Sequence, residues 1–227
     1  MSDEQPVTLA DAYALVTPQD SRELYARWAA TYESDFVVLN QYVIPDRVAE
    51  VFADAAGGRV DGALLDVGCG TGLVALALVR LAGAQGGDWV IDGVDISPEM
   101  LAVSAAKTRP DGRPLYRHLL ESDLTAAVDI ADGSYAGLLS AGTFTHGHLG
   151  PTALRTLIGF GRPGALFAIG INAEHYAAMG FAGRLAEELD AGTIRDVESK
   201  IVEMYLPDSE HYGAQAVVAV FRRAASD

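Results

Sequence analysis

Hydrophobic positions along the chain form short apolar runs that alternate with longer amphipathic stretches. Seven apolar runs predict β-strands, at residues 63–67, 89–94, 114–119, 135–140, 165–171, 197–206 and 215–221. Four stretches between them predict helices, at residues 72–81, 98–107, 151–160 and 181–189. Because strands alternate with helices, we expect a doubly wound, mostly parallel α/β sheet of seven strands. The last two runs have no helix between them and predict an antiparallel strand near one edge.

The first quarter of the chain is predicted to be helical without strands. Leu24, Trp28, Tyr32 and Phe36 recur at a spacing near four within residues 20–56. Pro45 interrupts this pattern, so two helices are expected instead of one. We therefore expect a single domain, residues 1–227, in which residues 1–56 form a helical cap and residues 57–227 form the α/β core.

Composition and charge exclude several classes of partner. The 227 residues include 16 basic and 31 acidic side chains, for a net charge of −15. Binding to nucleic-acid phosphates or an anionic membrane needs clustered Lys and Arg, so neither partner is expected. The polar, acidic start and the short apolar runs predict a cytoplasmic protein. Cys69 is the only cysteine, which excludes an intrachain disulfide and a cysteine-based zinc site. No metal is expected, and the oligomeric state stays open.

The strongest local motif is the segment LLDVGCGTG at residues 64–72. A buried strand leads into glycines spaced G-x-G-x-G, and a helix follows at once; glycine lets the backbone turn tightly and approach a ligand. Asp95 ends the next strand, where a carboxylate can accept both hydroxyls of a ribose. A nicotinamide-dependent protein shows a similar order, but the spacing here is one residue short of G-x-G-x-x-G, and Asp66 precedes the glycines.

LDVGCGTG followed by VDISPEML resembles the class I S-adenosylmethionine-dependent methyltransferases, which have a Rossmann-like fold. The resemblance implies S-adenosyl-L-methionine as the cofactor and S-adenosyl-L-homocysteine as its product. It also implies roles for individual residues. Asp66 would help to hold the amino group of the methionine moiety, and Asp95 would bind the ribose. The other implied cofactor residues are Gly68, Cys69, Gly70, Thr71 and Gly72 around the methionine moiety, Ile96, Met100 and Asp123 around the adenine, and Leu124 and Ser140.

Two further segments are similar to methyltransferase-like proteins of the Williams–Beuren region, which are of the small-molecule type. The first is DGSY at residues 132–135 leading into SAGTFTHGHLGP at residues 140–151. The second is YARWAATY at residues 25–32. In related enzymes such a helix folds over the cofactor, which implies that Tyr25, Trp28 and Tyr32 form a lid. The alternative is that Trp28 and Tyr32 are core residues of a helix.

His146 and His148 are the candidate catalytic residues. They lie in the loop after the fourth predicted strand, and imidazole can accept a proton near neutral pH. Methyl transfer from a sulfonium is an in-line displacement that mainly requires alignment. A base is needed only when the acceptor arrives protonated. The alternative is that these histidines cap the following helix or line the pocket.

Five other residues are predicted to contact the methyl acceptor, because they lie on loops expected to face the same cleft. They are Phe144, His175, Tyr176, His211 and Tyr212. An Asn/Asp-Pro-Pro-aromatic tetrapeptide, found in enzymes that methylate DNA bases or amide side chains, is absent. The sequence therefore predicts a methyltransferase that acts on a small molecule, with a compositional hint of secondary metabolism. The alternatives are a nicotinamide-dependent oxidoreductase, a non-catalytic S-adenosylmethionine-binding protein, and a methyltransferase of protein or tRNA.

Overall fold

A single mixed sheet organises the chain in the computed structural model, which describes residues 7–57, 60–85, 88–146 and 148–225. Its strands are β1 (Ala63–Val67), β2 (Val90–Asp95), β3 (Leu119–Glu121), β4 (Tyr135–Phe144), β5 (Gly161–Asn172), β6 (Ile194–Glu203) and β7 (Gln215–Arg223). Within these residues the strand order is β3-β2-β1-β4-β5-β7-β6. The four pairs among β3, β2, β1, β4 and β5 are parallel, and β7 lies antiparallel between β5 and β6. The predicted fold class is confirmed.

Helices cover both faces of this sheet. They are α1 (Leu9–Tyr13), α2 (Pro18–Trp28), α3 (Ile44–Ala56), α4 (Leu73–Gln85), α5 (Pro98–Ala105), α6 (Ala153–Phe160), α7 (Ala173–Met179) and α8 (Phe181–Asp190). A short π-helix spans Glu33–Val38. Pro45 lies in the first turn of α3, where proline is well tolerated, so this residue begins a helix as well as separating it from the preceding one.

Two hydrophobic clusters hold the layers together. Leu64 of β1 packs with Phe52 of α3 in the cluster on one face of the sheet. Its neighbour Leu65 packs with Leu154 of α6 and Phe167 of β5 in the other cluster. Strand side chains alternate between faces, so successive apolar residues in β1 serve opposite layers. This double burial explains why the neighbouring residues Leu64 and Leu65 are both apolar.

The N-terminal cap is joined to the core by an aromatic cluster. Trp28 lies 5.1 Å from Tyr32 and 5.4 Å from Phe36 between ring centroids, and Phe36 lies 4.9 Å from Tyr42. Trp28 and Phe36 are both buried and belong to the same cluster as α3 and α4. The spacing near four in the sequence therefore places these rings on one side of the cap, against the core.

The sequence predictions for three segments were wrong. The strand predicted at 114–119 is irregular until Leu119, because the Arg109 guanidinium takes the carbonyls of Pro114 and Leu115 at 3.2 and 2.9 Å. Because these carbonyl oxygens accept hydrogen bonds from a side chain, they do not pair with a neighbouring strand. The short helix α1 was not predicted. The predicted loop after the fifth strand is helix α7, which Asn172 caps by accepting the backbone N–H groups of residues 174 and 175.

Candidate active site

The loop after β1 is held in place by neighbouring strands. Gly68 and Gly70 both have left-handed backbones, with φ of 64° and 51°. A Cβ atom on Gly68 would lie 1.9 Å from the Thr143 hydroxyl oxygen, so this position accepts no side chain. The Cys69 N–H donates to the Val94 carbonyl at 3.0 Å. The loop backbone is thus fixed between the ends of β2 and β4.

Asp95 lies at the carboxyl end of β2 and faces the same loop. One carboxylate oxygen accepts the Gly70 N–H at 2.8 Å, and the other accepts the Ser97 N–H at 2.9 Å. Burial raises the pKa of Asp95, and the backbone donors counteract part of that shift. Each oxygen keeps a lone pair for a further donor. Asp95 is therefore oriented by the backbone while still able to accept hydroxyl groups.

A cavity of about 320 Å³ opens at this end of the sheet. Asp123 and the residue after it line the cavity, and one Asp123 oxygen accepts the Thr125 N–H at 2.8 Å. The Thr71 hydroxyl is buried without a partner among the described residues. The structure brings the following predicted residues to this cavity: Tyr25, Tyr32, Gly68, Cys69, Gly70, Thr71, Asp95, Ile96, Met100, Asp123, Leu124 and His148.

Four predicted cofactor residues lie behind the cavity wall. Asp66 is fully buried, and one of its oxygens accepts the Tyr116 hydroxyl at 2.7 Å. Its other oxygen has no partner among the described residues, and burial raises the Asp66 pKa to about 7. The Ser140 hydroxyl donates to the Val67 carbonyl at 2.8 Å. Gly72 and Trp28 also lie outside this lining, and Trp28 packs in the aromatic cluster of the cap.

His148 lies on the border of the cavity, and its two ring nitrogens have different partners. Its Nδ1 lies 2.9 Å from the His146 carbonyl oxygen, which can only accept a hydrogen bond. Nδ1 therefore carries the proton, and Nε2 keeps a lone pair. That lone pair accepts the Tyr25 hydroxyl at 3.1 Å. Burial lowers the pKa of His148, so the neutral ring prevails at neutral pH.

His146 occupies a different environment from His148. Its ring contacts Tyr13 and His175, with centroid distances of 5.3 and 5.5 Å. It does not line the cavity, and its Nδ1 has no partner among the described residues. Of the two predicted bases, only His148 therefore lies beside the space in which a methyl acceptor can approach.

The residues predicted to bind the acceptor are not brought to the large cavity. His175 faces inward from α7 and lies 3.0 Å from the Leu149 carbonyl through Nε2. Phe144 and Tyr176 both pack against Phe181. His211 contacts Tyr205, and Tyr212 is 55% exposed. Helix α7 turns the His175 side chain into the core, and the loop between β6 and β7 keeps the Tyr212 side chain at the surface.

Other cavity residues had no motif to reveal them. Tyr42 and Tyr205 form an antiparallel bridge between segments far apart in the chain. Tyr42 lines the cavity from a connection that the sequence predicts as helix. The polar residues not predicted are Thr17, Ser21, Ser122, Thr125 and Thr143. Only their place after predicted strands, or beside the predicted lid, could have suggested them.

Comparison with protein families identifies the kind of domain that carries this site. Residues 64–164 match a family model described as a methyltransferase domain. The chain carries a class I S-adenosylmethionine-dependent methyltransferase domain. The matched segment includes the glycine loop, Asp95, Asp123 and His148, and S-adenosyl-L-methionine is the cofactor of this domain. No curated protein sequence matches the chain.

Solved structures show the same fold at low sequence identity. A Methanococcus maripaludis protein, described as an S-adenosyl-L-methionine-dependent methyltransferase, is 16% identical with a TM-score of 0.58, covering 100% of this chain and 99% of that one. The 4+2 cyclase SpnF is 16% identical with a TM-score of 0.63, covering 94% and 98%. A Haloferax volcanii protein solved with the Trm112 methyltransferase activator is 15% identical with a TM-score of 0.61, covering 91% and 98%. The likeness to these structures concerns the fold.

The residues of the methyltransferase domain fit its cofactor. The glycine loop has no Cβ atoms at two positions where the backbone borders the cavity, and Asp95 presents an oriented carboxylate there. The partnerless Thr71 hydroxyl supplies a further polar group. Among the described residues, no three His, Cys, Asp or Glu side chains are placed to hold a metal ion. No helix in the described ranges is long and apolar enough to cross a bilayer.

Proposed function

We propose that this protein transfers the methyl group of S-adenosyl-L-methionine to a small-molecule acceptor, and that His148 is the general base. The observation that carries the proposal is the Nε2 lone pair of His148 at the cavity border. The His146 carbonyl fixes the tautomer, and the ring is neutral at neutral pH. A neutral imidazole with one oriented lone pair is the form that a base requires.

We place the cofactor in the large cavity because the residues that line it suit the groups of this molecule. Asp95 would accept the ribose hydroxyls, and the backbone of Gly68 and Gly70 would lie along the methionine moiety. Ile96 and Met100 supply apolar surface for the adenine ring. Asp66 acts from behind the loop, through the position of β1, since it does not reach the cavity.

When bound, the cofactor supplies an electrophilic methyl group on a sulfonium centre. A lone pair of the acceptor atom would form the new bond to this methyl carbon, and the sulfur would leave with the carbon–sulfur electron pair. The acceptor proton passes to Nε2 of His148, which becomes imidazolium and later releases the proton to water. The cap tyrosines Tyr25 and Tyr32 line the same space and would exclude water from it. Alignment by these walls contributes the larger part of catalysis.

A small acceptor is favoured by the cover over the site. Arg22 of α2 donates to the Ile96 carbonyl at 3.2 Å, so the cap is attached to the rim of the cofactor cavity. A protein or tRNA acceptor would have to pass this cap. The net charge of −15 also opposes binding of RNA phosphates. We therefore favour a small molecule over a macromolecular acceptor.

The experiment must separate binding from transfer, because a fold of this kind also occurs in a cyclase. Calorimetry with S-adenosyl-L-methionine and S-adenosyl-L-homocysteine measures binding. S-adenosyl-L-homocysteine release across a library of small hydroxyl, amine and thiol compounds measures transfer. We expect micromolar binding and release that depends on an acceptor. Binding without release for any compound would support a non-catalytic cofactor-binding protein, and absent binding would refute the cofactor assignment.

A further inference from the structure

A second, smaller cavity of about 50 Å³ adjoins the first on the side of the cap. Five residues line both cavities: Tyr25, Tyr32, Tyr42, Gly142 and His148. The border between the two spaces therefore carries the lone pair of His148. A molecule in the second cavity and a cofactor in the first would meet at this imidazole.

The walls of the second cavity carry no Asp, Glu, Lys or Arg among the described residues. Trp28, Phe36, Phe144 and Tyr205 are buried aromatic residues that line it together with the border tyrosines. An ammonium or carboxylate group placed here would be desolvated without an ion partner, which costs several kcal/mol. The walls therefore favour an uncharged molecule with an apolar or aromatic surface.

Polar atoms in these walls lack partners. The Trp28 indole nitrogen and the Thr145 hydroxyl are buried and make no hydrogen bond with any described residue. Trp28 is 2% exposed. Buried polar groups in native proteins are nearly always satisfied by protein or water, so these groups are placed to bind the oxygen of a ligand that displaces water.

The size of the cavity limits the molecule that enters. A volume of about 50 Å³ holds about three to five water molecules. Tyr25 forms part of the wall between the two cavities and occupies the lone pair of His148. Displacement of this one side chain would both enlarge the second cavity toward the cofactor and free the base. The cavity alone is smaller than a phenol, but together with the space that the Tyr25 ring would vacate it matches a compact molecule with a single ring better than a fused or extended one.

We propose that the second cavity binds the methyl acceptor, and that the acceptor is a compact, uncharged, single-ring phenol. Its hydroxyl replaces the Tyr25 hydroxyl at Nε2 of His148, and a second oxygen accepts the indole N–H of Trp28. The phenolic O–H bond breaks as the oxygen–methyl bond forms, with the proton on Nε2 and the carbon–sulfur pair on sulfur. This inference rests on the proposed function.

The test uses one phenol with three different tails. Methyl 4-hydroxybenzoate is neutral, 4-hydroxybenzoate carries a carboxylate, and tyramine carries an ammonium group. Each is titrated into the full chain saturated with S-adenosyl-L-homocysteine, and tryptophan fluorescence and calorimetry are recorded. The chain has two tryptophans, so Trp89→Phe leaves Trp28 as the only fluorescent indole. We expect the ester to change Trp28 fluorescence and to bind at least ten-fold more tightly than either charged analogue.

Two tryptophan variants form a matched pair. Trp28 and Trp89 are both buried and both have a partnerless indole nitrogen, but only Trp28 lines the second cavity. Trp28→Phe keeps the aromatic ring and removes the donor, so affinity for the ester should fall about five- to ten-fold by calorimetry. Trp89→Phe should leave that affinity unchanged. Cofactor affinity should be the same in both variants.

The outcomes separate this inference from the proposed function. If a charged analogue binds as tightly as the ester, or if none of the three changes Trp28 fluorescence, the second cavity is not a site for neutral phenols. Cofactor binding and methyl transfer to other compounds would then still stand. If S-adenosyl-L-homocysteine itself does not bind, both the proposed function and this inference fail. Equal losses in Trp28→Phe and Trp89→Phe would indicate a structural effect and overturn the assignment of the indole.

Discussion

The two sides of the site are built in different ways. The cofactor side consists of backbone from consecutive residues, joined by hydrogen bonds such as the one from the Gly70 N–H to Asp95. The proposed acceptor side, which is the wall of the second cavity, consists of side chains from distant segments, among them Tyr25, Tyr42, His148 and Tyr205. The first side presents carboxylates, whereas the second has no Asp, Glu, Lys or Arg among its described lining residues.

This difference separates what is general in the fold from what is particular to the chain. A backbone loop at the end of β1 depends on glycines and on strand geometry, so its form survives wide changes elsewhere. The acceptor side depends on which aromatic residue each distant segment contributes. We expect variants on the cofactor side to change cofactor affinity or stability, and variants on the acceptor side to change transfer rate or acceptor affinity.

The largest effect is expected at the border between the sides. His148→Gln keeps hydrogen bonding but removes the basic nitrogen, so the single-turnover rate of methyl transfer should fall by about 10²–10⁴-fold. Cofactor affinity should barely change. In the wild type the rate should rise with pH through an apparent pKa below 6.5, because burial disfavours the charged imidazolium. Rapid-quench measurements across pH 5 to about 9 would show this rise.

His146→Gln is the matched control for that variant, since His146 is in the same loop but lines neither cavity. We expect its rate to stay within about ten-fold of the wild type. If His148→Gln retains more than about a tenth of the wild-type rate with a phenolic acceptor, His148 is not the base. A larger loss in His146→Gln than in His148→Gln would reverse the assignment.

The contrast between the sides also explains which predictions from sequence succeeded. The sheet, the glycine loop and the position of Asp95 at the end of β2 were predictable because each depends on residues close together in the chain. The strand at 114–119 was not, because the Arg109 side chain takes its carbonyls, and side-chain competition leaves no periodic signal. His175 was expected at the cleft but faces inward, since Asn172 starts a helix directly after β5. Tyr205 was missed because its place depends on pairing with Tyr42.

Asp66 offers a pH test of the cofactor side. Its pKa of about 7 in the folded protein lies above that of an unfolded aspartate, about 3.9. The folded state therefore binds the proton more tightly, and the contribution of Asp66 to stability is lost as pH rises from about 4 to about 7. Asp66→Asn keeps an oxygen for the Tyr116 hydroxyl and removes this titration.

We expect Asp66→Asn to gain stability relative to the wild type as pH rises from about 5 to about 8. The gain should be about 2–4 kcal/mol, because three pKa units correspond to about 4 kcal/mol at most. Urea unfolding of both proteins at each pH measures it. A stability difference that does not vary with pH would mean that Asp66 titrates normally, and the buried wall behind the glycine loop would then be accessible to solvent.

The next effect is on cofactor affinity. Asp95→Ala should weaken binding of S-adenosyl-L-methionine by about 1–3 kcal/mol, because two ribose hydroxyls lose a charged acceptor. The Gly70 and Ser97 N–H groups also lose their partner. Calorimetry on the variant, with circular dichroism to verify folding, measures the change. Unchanged affinity in a folded variant would remove Asp95 from the cofactor side.

The smallest effect separates backbone strain from loss of space at the cofactor. Gly70 and Gly57 have similar left-handed backbones, with φ of 51° and 59°, and a Cβ atom on either would meet nothing within 4 Å. Replacement by Ala should therefore destabilise the protein by about 1 kcal/mol at each position. Only Gly70 lines the cofactor cavity, so only Gly70→Ala should also weaken cofactor binding, by about ten-fold. Thermal unfolding measures the loss of stability, and calorimetry measures the loss of cofactor affinity.

Because the two substitutions impose the same strain, an equal loss of affinity in Gly57→Ala would attribute the effect to general destabilisation. A loss confined to Gly70→Ala would show that the cofactor approaches the loop backbone too closely for a methyl group, as expected for a site built from main chain.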